Sequence, residues 1–276
     1  MNIDRGTYKS YRISVSKEFD TVFSHFYFAE NNSENTIKKT LLPSFQTIMV
    51  FNFGTKALLA SPSPADTTIK IERCIVLGPI KQAFNYSLFP GTQILVANFK
   101  GDAFYRFFGQ AVLSGHFPIN PDKAFLENCF SYLWHQLNEI GNVEDKVNCI
   151  LNFCKPYLTS QKPIPTLLAN FTSKTDNPIK SVAQETGMSE RNIQLLHKKH
   201  FGFSAKELGR YSRFIKAIEY IQQLASSTGH VNWFELIEAC GYYDQSQLIH
   251  DFTHYMRCSP KNFVKFQQDI CRASGE

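Results

Sequence analysis

The C-terminal part of the chain repeats one plan twice, and this repetition constrains the fold more than any other feature. Ser181-Val182-Ala183-Gln184-Glu185-Thr186-Gly187-Met188-Ser189 is followed by a polar stretch, Glu190 to His200, and by Phe201-Gly202-Phe203-Ser204. Phe234-Glu235-Leu236-Ile237-Glu238-Ala239-Cys240-Gly241-Tyr242 is followed by a polar stretch from about Ser246 to Tyr255, and by Arg257-Cys258-Ser259-Pro260. Each copy reads as a short apolar-faced helix that runs into a glycine, a tight turn, and a capped second helix. That is the sequence form of a helix-turn-helix. Two copies predict a reader of two major-groove segments of DNA.

In the first copy Ile179, Val182 and Ala183 form the apolar stripe, and Gly187 supplies a left-handed turn. Ser189 is placed as an N-cap. The helix it starts is expected to bury Ile193 and Leu196 and to expose Glu190, Arg191, Gln194 and Lys198. In the second copy Phe234, Ile237 and Ala239 supply the apolar face, and Gly241 the turn. Asp244 is the expected N-cap, with Ser246 as the alternative. Leu248, Ile249 and Phe252 should face inward, and Gln247, His250 and His254 outward. Amide and guanidinium groups on the leading turns can pair with base edges. Lys198, Lys199, Ser189 and His254 suit phosphates, which position without specifying. A long helix from about Ala205 to Leu224 joins the copies. At about 1.5 Å per residue it could hold two reading heads roughly one DNA turn apart.

These residues resemble the AraC/XylS transcription regulators. The resemblance is carried by Gly241-Tyr242-Tyr243-Asp244-Gln245-Ser246-Gln247-Leu248-Ile249-His250-Asp251-Phe252 and by Ser259-Pro260-Lys261-Asn262-Phe263. Val182-Ala183, Ser189, Ile193, Leu196, Gly202-Phe203-Ser204, Arg213 and Ala217 carry it in the first copy and the long helix. It covers about residues 178–266. It implies a sequence-specific regulator of transcription whose partners are operator or promoter DNA and, in an activator, RNA polymerase. It also implies base contacts at Arg191, Gln194 and Leu195, and at Ser246, Gln247 and His250. The chain departs from the family where Leu195 and His250 replace the usual Arg, His197 a Phe, and Arg257 a Gly. These departures keep a second reading open, a degenerate module that binds a protein partner.

The first hundred or so residues read as β-rich. Tyr11 to Val15, Ser24 to Phe28, Thr47 to Phe53, Ile69 to Ile71, Arg73 to Leu77 and Gln93 to Phe99 have strand patterning. Ser61-Pro62-Ser63-Pro64, Gly78-Pro79 and Phe89-Pro90-Gly91 separate them. A sandwich or small barrel is expected. Phe104 to Gly109 reads as a short helix closed by glycine. Leu126, Phe130, Leu133, Leu137 and Ile140 then form an a/d seam, continued by Val147, Leu151, Cys154 and Leu158. Two readings stand side by side here: helices packed on their own domain, or a dimer contact. Gln161-Lys162-Pro163-Ile164-Pro165 and Lys174 to Pro178 mark a linker.

The expected fold is therefore α+β in two domains. A β-rich, sandwich- or barrel-like sensor domain with helices precedes an all-α double helix-turn-helix joined by a long helix. The expected boundaries are 1–118 for the sensor, 119–160 for a helical hairpin, 161–177 for the linker and 178–276 for the DNA-binding domain. By resemblance, the N-terminal half responds to a small-molecule effector or forms a homodimer. No cofactor is expected.

Other classes lose ground on the same residues. No G-x-S-x-G, H-E-x-x-H or P-loop occurs, so an enzyme with a catalytic β domain has no recognisable site. His25 and His116 stand apart without an H-x-H, so no metal site is expected. The seven cysteines are irregularly spaced without a C-x-x-C, and buried free thiols are expected. Neither a signal core nor a membrane-length apolar run occurs, which points to the cytoplasm. From residue 174 onward thirteen lysines and arginines face eleven acidic residues. Motif order, not net charge, carries the DNA-binding expectation.

Overall fold

A computed structural model describes residues 7–60, 68–109, 119–125, 129–170, 178–227 and 231–265. The chain is α+β, with a β-rich N-terminal region and a helical C-terminal region. The strands are β1 (Tyr8–Ile13), β2 (Phe23–Asn31), β3 (Ile37–Leu41), β4 (Ile48–Gly54), β5 (Ala57–Ala60), β6 (Thr68–Ile71), β7 (Cys74–Leu77), β8 (Phe84–Leu88) and β9 (Thr92–Phe99). The helices are α1 (Ala103–Phe108), α2 (Pro121–Phe125), α3 (Cys129–Glu139), α4 (Val143–Cys154), α5 (Pro163–Asn170), α6 (Pro178–Thr186), α7 (Glu190–Phe201), α8 (Ala205–Ser227), α9 (Trp233–Cys240) and α10 (Gln245–Met256).

The strands form two antiparallel sheets, ordered β1-β2-β9-β4-β7 and β3-β8-β5-β6. The larger sheet is covered on both faces. On one side Phe26, Phe28, Met49, Phe51, Leu95 and Phe99 pack with α1, α3 and α4. On the other, Ala29, Ile48, Val50, Ile94 and Val96 pack against Ala57, Leu59 and Leu88 of the smaller sheet. The result is three layers, helices on sheet on sheet. It explains the nearly continuous apolar run of β4, whose alternate residues serve two different cores. β4 closes at Gly54, φ 71°, where a Cβ would come within 2.3 Å of the Gly91 carbonyl oxygen.

The helical layer decides between the two readings of the a/d seam. Phe130, Leu133 and Leu137 are completely buried in the core they share with the sheet, and Ile140 packs against it. They are not free to meet a second chain, which corrects the dimer-seam expectation at these positions. The sequence spacing could not separate the two, because one apolar stripe serves either purpose. Leu126 lies outside the described residues. Trp134 donates from Nε1 to the Asn52 carbonyl at 2.7 Å, and the buried Lys146 ammonium donates to the Leu137 carbonyl. The first bond fixes α3 on β4 of the sheet, and the second ties α4 to α3.

The expected linker, 161–177, contains α5. Pro163 opens that helix and Pro165 lies in its first turn, where proline is tolerated because those N–H groups have no intrahelical partner. Residues 171–177 lie outside the described residues. The chain divides into two compact units, and the division does not fall at residue 178. Of the described residues, one unit contains those up to 170 and 178–203; the other contains 204–227 and 231–265. The first helix-turn-helix, α6 and α7, thus clusters with the β-rich half, and the second, α9 and α10, with α8.

Among the described residues no helix is long and apolar enough to cross a membrane. Nor, among the described residues, is a group of three His, Cys, Asp or Glu placed to hold a metal. Cys74, Cys154 and Cys240 are buried free thiols, and Cys129, Cys149 and Cys258 are partly buried ones.

Candidate nucleic-acid interface

In the first copy α6 buries Ile179, Val182 and Ala183, and Gly187 follows with φ 69°. Ser189 has extended backbone, and its hydroxyl accepts from the Asn192 N–H at 3.3 Å. That cap starts α7. Gly202, φ 79°, ends it in the left-handed conformation. Arg191, Gln194, Leu195, Lys198 and Lys199 are all exposed. Arg191, Leu195 and Lys198 follow one another at helical i, i+4, i+7 spacing and share a face.

The inner face of α7 is Ile193, His197, His200 and Phe201. His197 stands at an apolar position and finds a local partner. Its Nδ1 lies 2.8 Å from the Phe203 carbonyl oxygen, and its ring packs on Phe201 at 4.8 Å. His200, 4% exposed, lies against α1: its ring centroid is 4.1 Å from that of Tyr105, and Nδ1 is 3.4 Å from Asp102 Oδ2. Burial lowers the His200 pKa, and the nearby Asp102 carboxylate opposes that shift in part. Asp102 Oδ1 also accepts from Arg106 Nε at 3.1 Å. Phe203 meets Phe45 edge-on at 4.9 Å.

In the second copy Asn232 caps α9, its side chain accepting from the Phe234 N–H at 3.1 Å. Leu236 and Cys240 are buried while Phe234 is 86% exposed, so Phe234 is not part of the apolar face expected for it. Gly241, φ 74°, ends the helix. Asp244, not Ser246, is the cap of α10: its carboxylate accepts from the Gln247 N–H at 2.7 Å. Gln247 Oε1 accepts in turn from the Tyr243 N–H at 2.9 Å. The Gln247 carbonyl is thereby occupied by the turn, a role its sequence position did not reveal.

The inner face of α10 is Leu248, Asp251, Phe252 and Tyr255. Ile249 was expected inward and is instead 41% exposed. Leu248, Phe252 and Tyr255 keep the i, i+4, i+7 row, and Asp251 takes the neighbouring place. A buried carboxylate needs a partner, and α8 supplies two. Arg210 Nε donates to Asp251 Oδ1 at 2.6 Å, and Arg213 Nη2 lies 3.6 Å from Oδ2. Sequence reasoning missed this pair, although an Asp inside an otherwise apolar row was the available signal. Arg210 Nη2 also donates to His250 Nδ1 at 3.0 Å, which leaves Nε2 to carry the ring proton. His254 is exposed, and desolvation with the nearby Arg210 charge lowers its pKa, so it is neutral at pH 7. Arg257 ends α10 at φ 56°, a left-handed residue at the position where the resemblance expects glycine.

Residues 182–265 match a family model described as a helix-turn-helix domain. No curated protein matches the chain. Among solved structures, ToxT from Vibrio cholerae is 13% identical with a TM-score of 0.41, over 94% of this chain and 97% of that one. An unsaturated-fatty-acid-bound ToxT from Vibrio cholerae is 11% identical with a TM-score of 0.39, over 96% and 97%. The AraC-like transcriptional activator CuxR is 10% identical with a TM-score of 0.24, over 98% and 87%.

Proposed function

We propose, from a C-terminal region that is an AraC-type double helix-turn-helix, that this chain is a sequence-specific DNA-binding regulator of transcription. α7 and α10 each enter a major groove, and the two grooves are successive on one operator or promoter. One observation carries the reading: both helices start at a side-chain cap and expose residues at the same counts from that cap. Arg191 and Ser246 stand second, Gln194 and Ile249 fifth, Leu195 and His250 sixth, and Lys198 and Thr253 ninth, all exposed.

On this reading Arg191, Gln194 and Leu195 meet base edges in one groove, and Ser246 and His250 in the other. Gln247, its carbonyl occupied, contributes only its amide donors. Lys198 and Lys199 neutralise phosphates. Ser189 offers its hydroxyl proton and neutral His254 a ring N–H. The β-rich region governs the output, through a small-molecule effector or through self-association by a surface other than the buried α3 stripe. RNA polymerase is the further partner if the protein activates.

The test is selection of bound fragments from genomic DNA, followed by a salt titration on the recovered duplex. Binding should fall steeply with salt, and the protected site should hold two segments roughly one helical turn apart. Failure to bind any duplex at low salt would sink the reading. One observation favours a protein partner instead: α10 contains no Lys or Arg, and Phe234 and Tyr243 nearby in sequence are 86% and 91% exposed. Under that reading duplex binding is absent at every salt concentration.

A further inference from the structure

We infer that the two recognition helices read thymine through its C5 methyl group, with Leu195 in α7 and Ile249 in α10 as the reading side chains. The inference rests on the DNA-binding reading above and adds which base is recognised, and how.

Exposed aliphatic residues are common singly and mean little. Here the placement is specific. Among the described residues five large hydrophobic side chains are exposed, and the two aliphatic ones both sit on the outer face of a recognition helix. Leu195 is 61% exposed, with Arg191 one turn before it and Lys198 and Lys199 one turn after. A cationic frame around an apolar side chain suits a polyanion with an apolar spot inside it. The major groove has one such spot, the thymine methyl.

In α10 two of the polar side chains beside Ile249 each have an acceptor engaged. Gln247 Oε1 accepts from the Tyr243 N–H, and His250 Nδ1 accepts from Arg210. The hydroxyl of Thr253, one turn beyond Ile249, donates to the Ile249 carbonyl at 2.8 Å, so its methyl remains for outside contact. Ile249 and Thr253 therefore form an apolar spot on the groove-facing side. An aliphatic side chain cannot hydrogen-bond a base edge, so thymine is the base it can prefer.

The experiment uses the full chain and the duplex recovered by genomic selection. Each thymine is replaced in turn by deoxyuridine, which removes only the methyl group, and affinity is measured by fluorescence anisotropy at fixed salt. The parent should lose about fourfold in affinity at one thymine under each helix, the loss expected for one buried methyl. Leu195→Ala should abolish the deoxyuridine effect at its own thymine and keep the other, and Ile249→Ala the reverse. Both side chains are exposed, and the deoxyuridine series on the parent needs no variant. Tight binding that is indifferent to every deoxyuridine, or alanine variants that keep both effects, overturns the methyl reading and leaves DNA binding intact. Absence of binding to the selected duplex and to a random-sequence duplex at low salt overturns both.

Discussion

The two recognition helices share one plan and differ in how it is made rigid. Counted from their caps, Ile193, Leu196, His197 and His200 in α7 stand where Leu248, Asp251, Phe252 and Tyr255 stand in α10. The second helix has an aromatic row with one buried carboxylate, held by two arginines of α8. The first has two buried histidines, one closed on its own following turn at Phe203 and one against Asp102, just before α1, and Tyr105 within it. The difference extends outward. α7 presents Arg191, Lys198 and Lys199, whereas α10 presents serine, isoleucine, histidine and threonine. One outer pattern has thus been combined with two inner solutions, each demanding a different partner.

The largest effect should come from breaking the carboxylate side of the second solution. Asp251→Ala removes the shared partner of Arg210 and Arg213. Loss of one member of a buried pair costs about 3–5 kcal/mol. The arginine side chains are 29% and 27% exposed and can rehydrate, so about 2–3 kcal/mol is expected. Chemical denaturation followed by the helical signal measures it, and a change below about 0.5 kcal/mol would show the pair to be idle.

The outer difference comes next. Lys198→Ala should lower the slope of log affinity against log salt by about 0.9, the share of one phosphate contact. His254→Ala should leave the slope unchanged at pH 7, because that imidazole is held neutral. Equal slopes for both variants would remove the electrostatic asymmetry between the heads.

Acid should act on the histidine solution. Burial holds His200 below its ordinary pKa in the folded state. As pH falls, the unfolded chain therefore binds the proton first. The contribution of this site is complete above about pH 6.5 and is lost as pH falls from there through the folded-state value. His25 and His254 are shifted in the same direction. His200→Phe, which copies the aromatic of α10, should remove only its own share. Thermal midpoints at about pH 7.5 and 5.5 should fall less in the variant than in the parent; parallel falls would assign the acid sensitivity elsewhere.

The smallest expected effect is a gain. Arg257 ends α10 at φ 56°, where a Cβ is disfavoured. Arg257→Gly should raise stability by about 0.5–1 kcal/mol. A loss would mean that the arginine side chain contributes more than the backbone costs.

What was legible in the sequence followed from local chemistry. Ser189 and Asp244 cap because their side chains can accept from a following N–H, and Gly187 and Gly241 turn because φ is positive. All five strands of the larger sheet carry clear apolar patterning and were recognisable. β3, β5 and β8 of the smaller sheet were not: Ile37-Lys38-Lys39-Thr40-Leu41 and Ala57-Leu58-Leu59-Ala60 do not alternate cleanly. Long-range partners were also hidden. The a/d spacing of α3 cannot say which surface covers it, and nothing near His200 in sequence announces Asp102.

β9 ends at Phe99, and four residues later the same backbone begins α1. That short run carries Asp102, and the helix after it Tyr105, to His200 of α7. For anyone dividing the gene, the seam between modules is consequently not where the family pattern begins. A fragment that starts at Pro178 keeps both helix-turn-helix motifs on paper. It strips Tyr105 and Asp102 from His200, and Phe45 from Phe203, leaving the first head with an unclad side that the intact chain never shows to water.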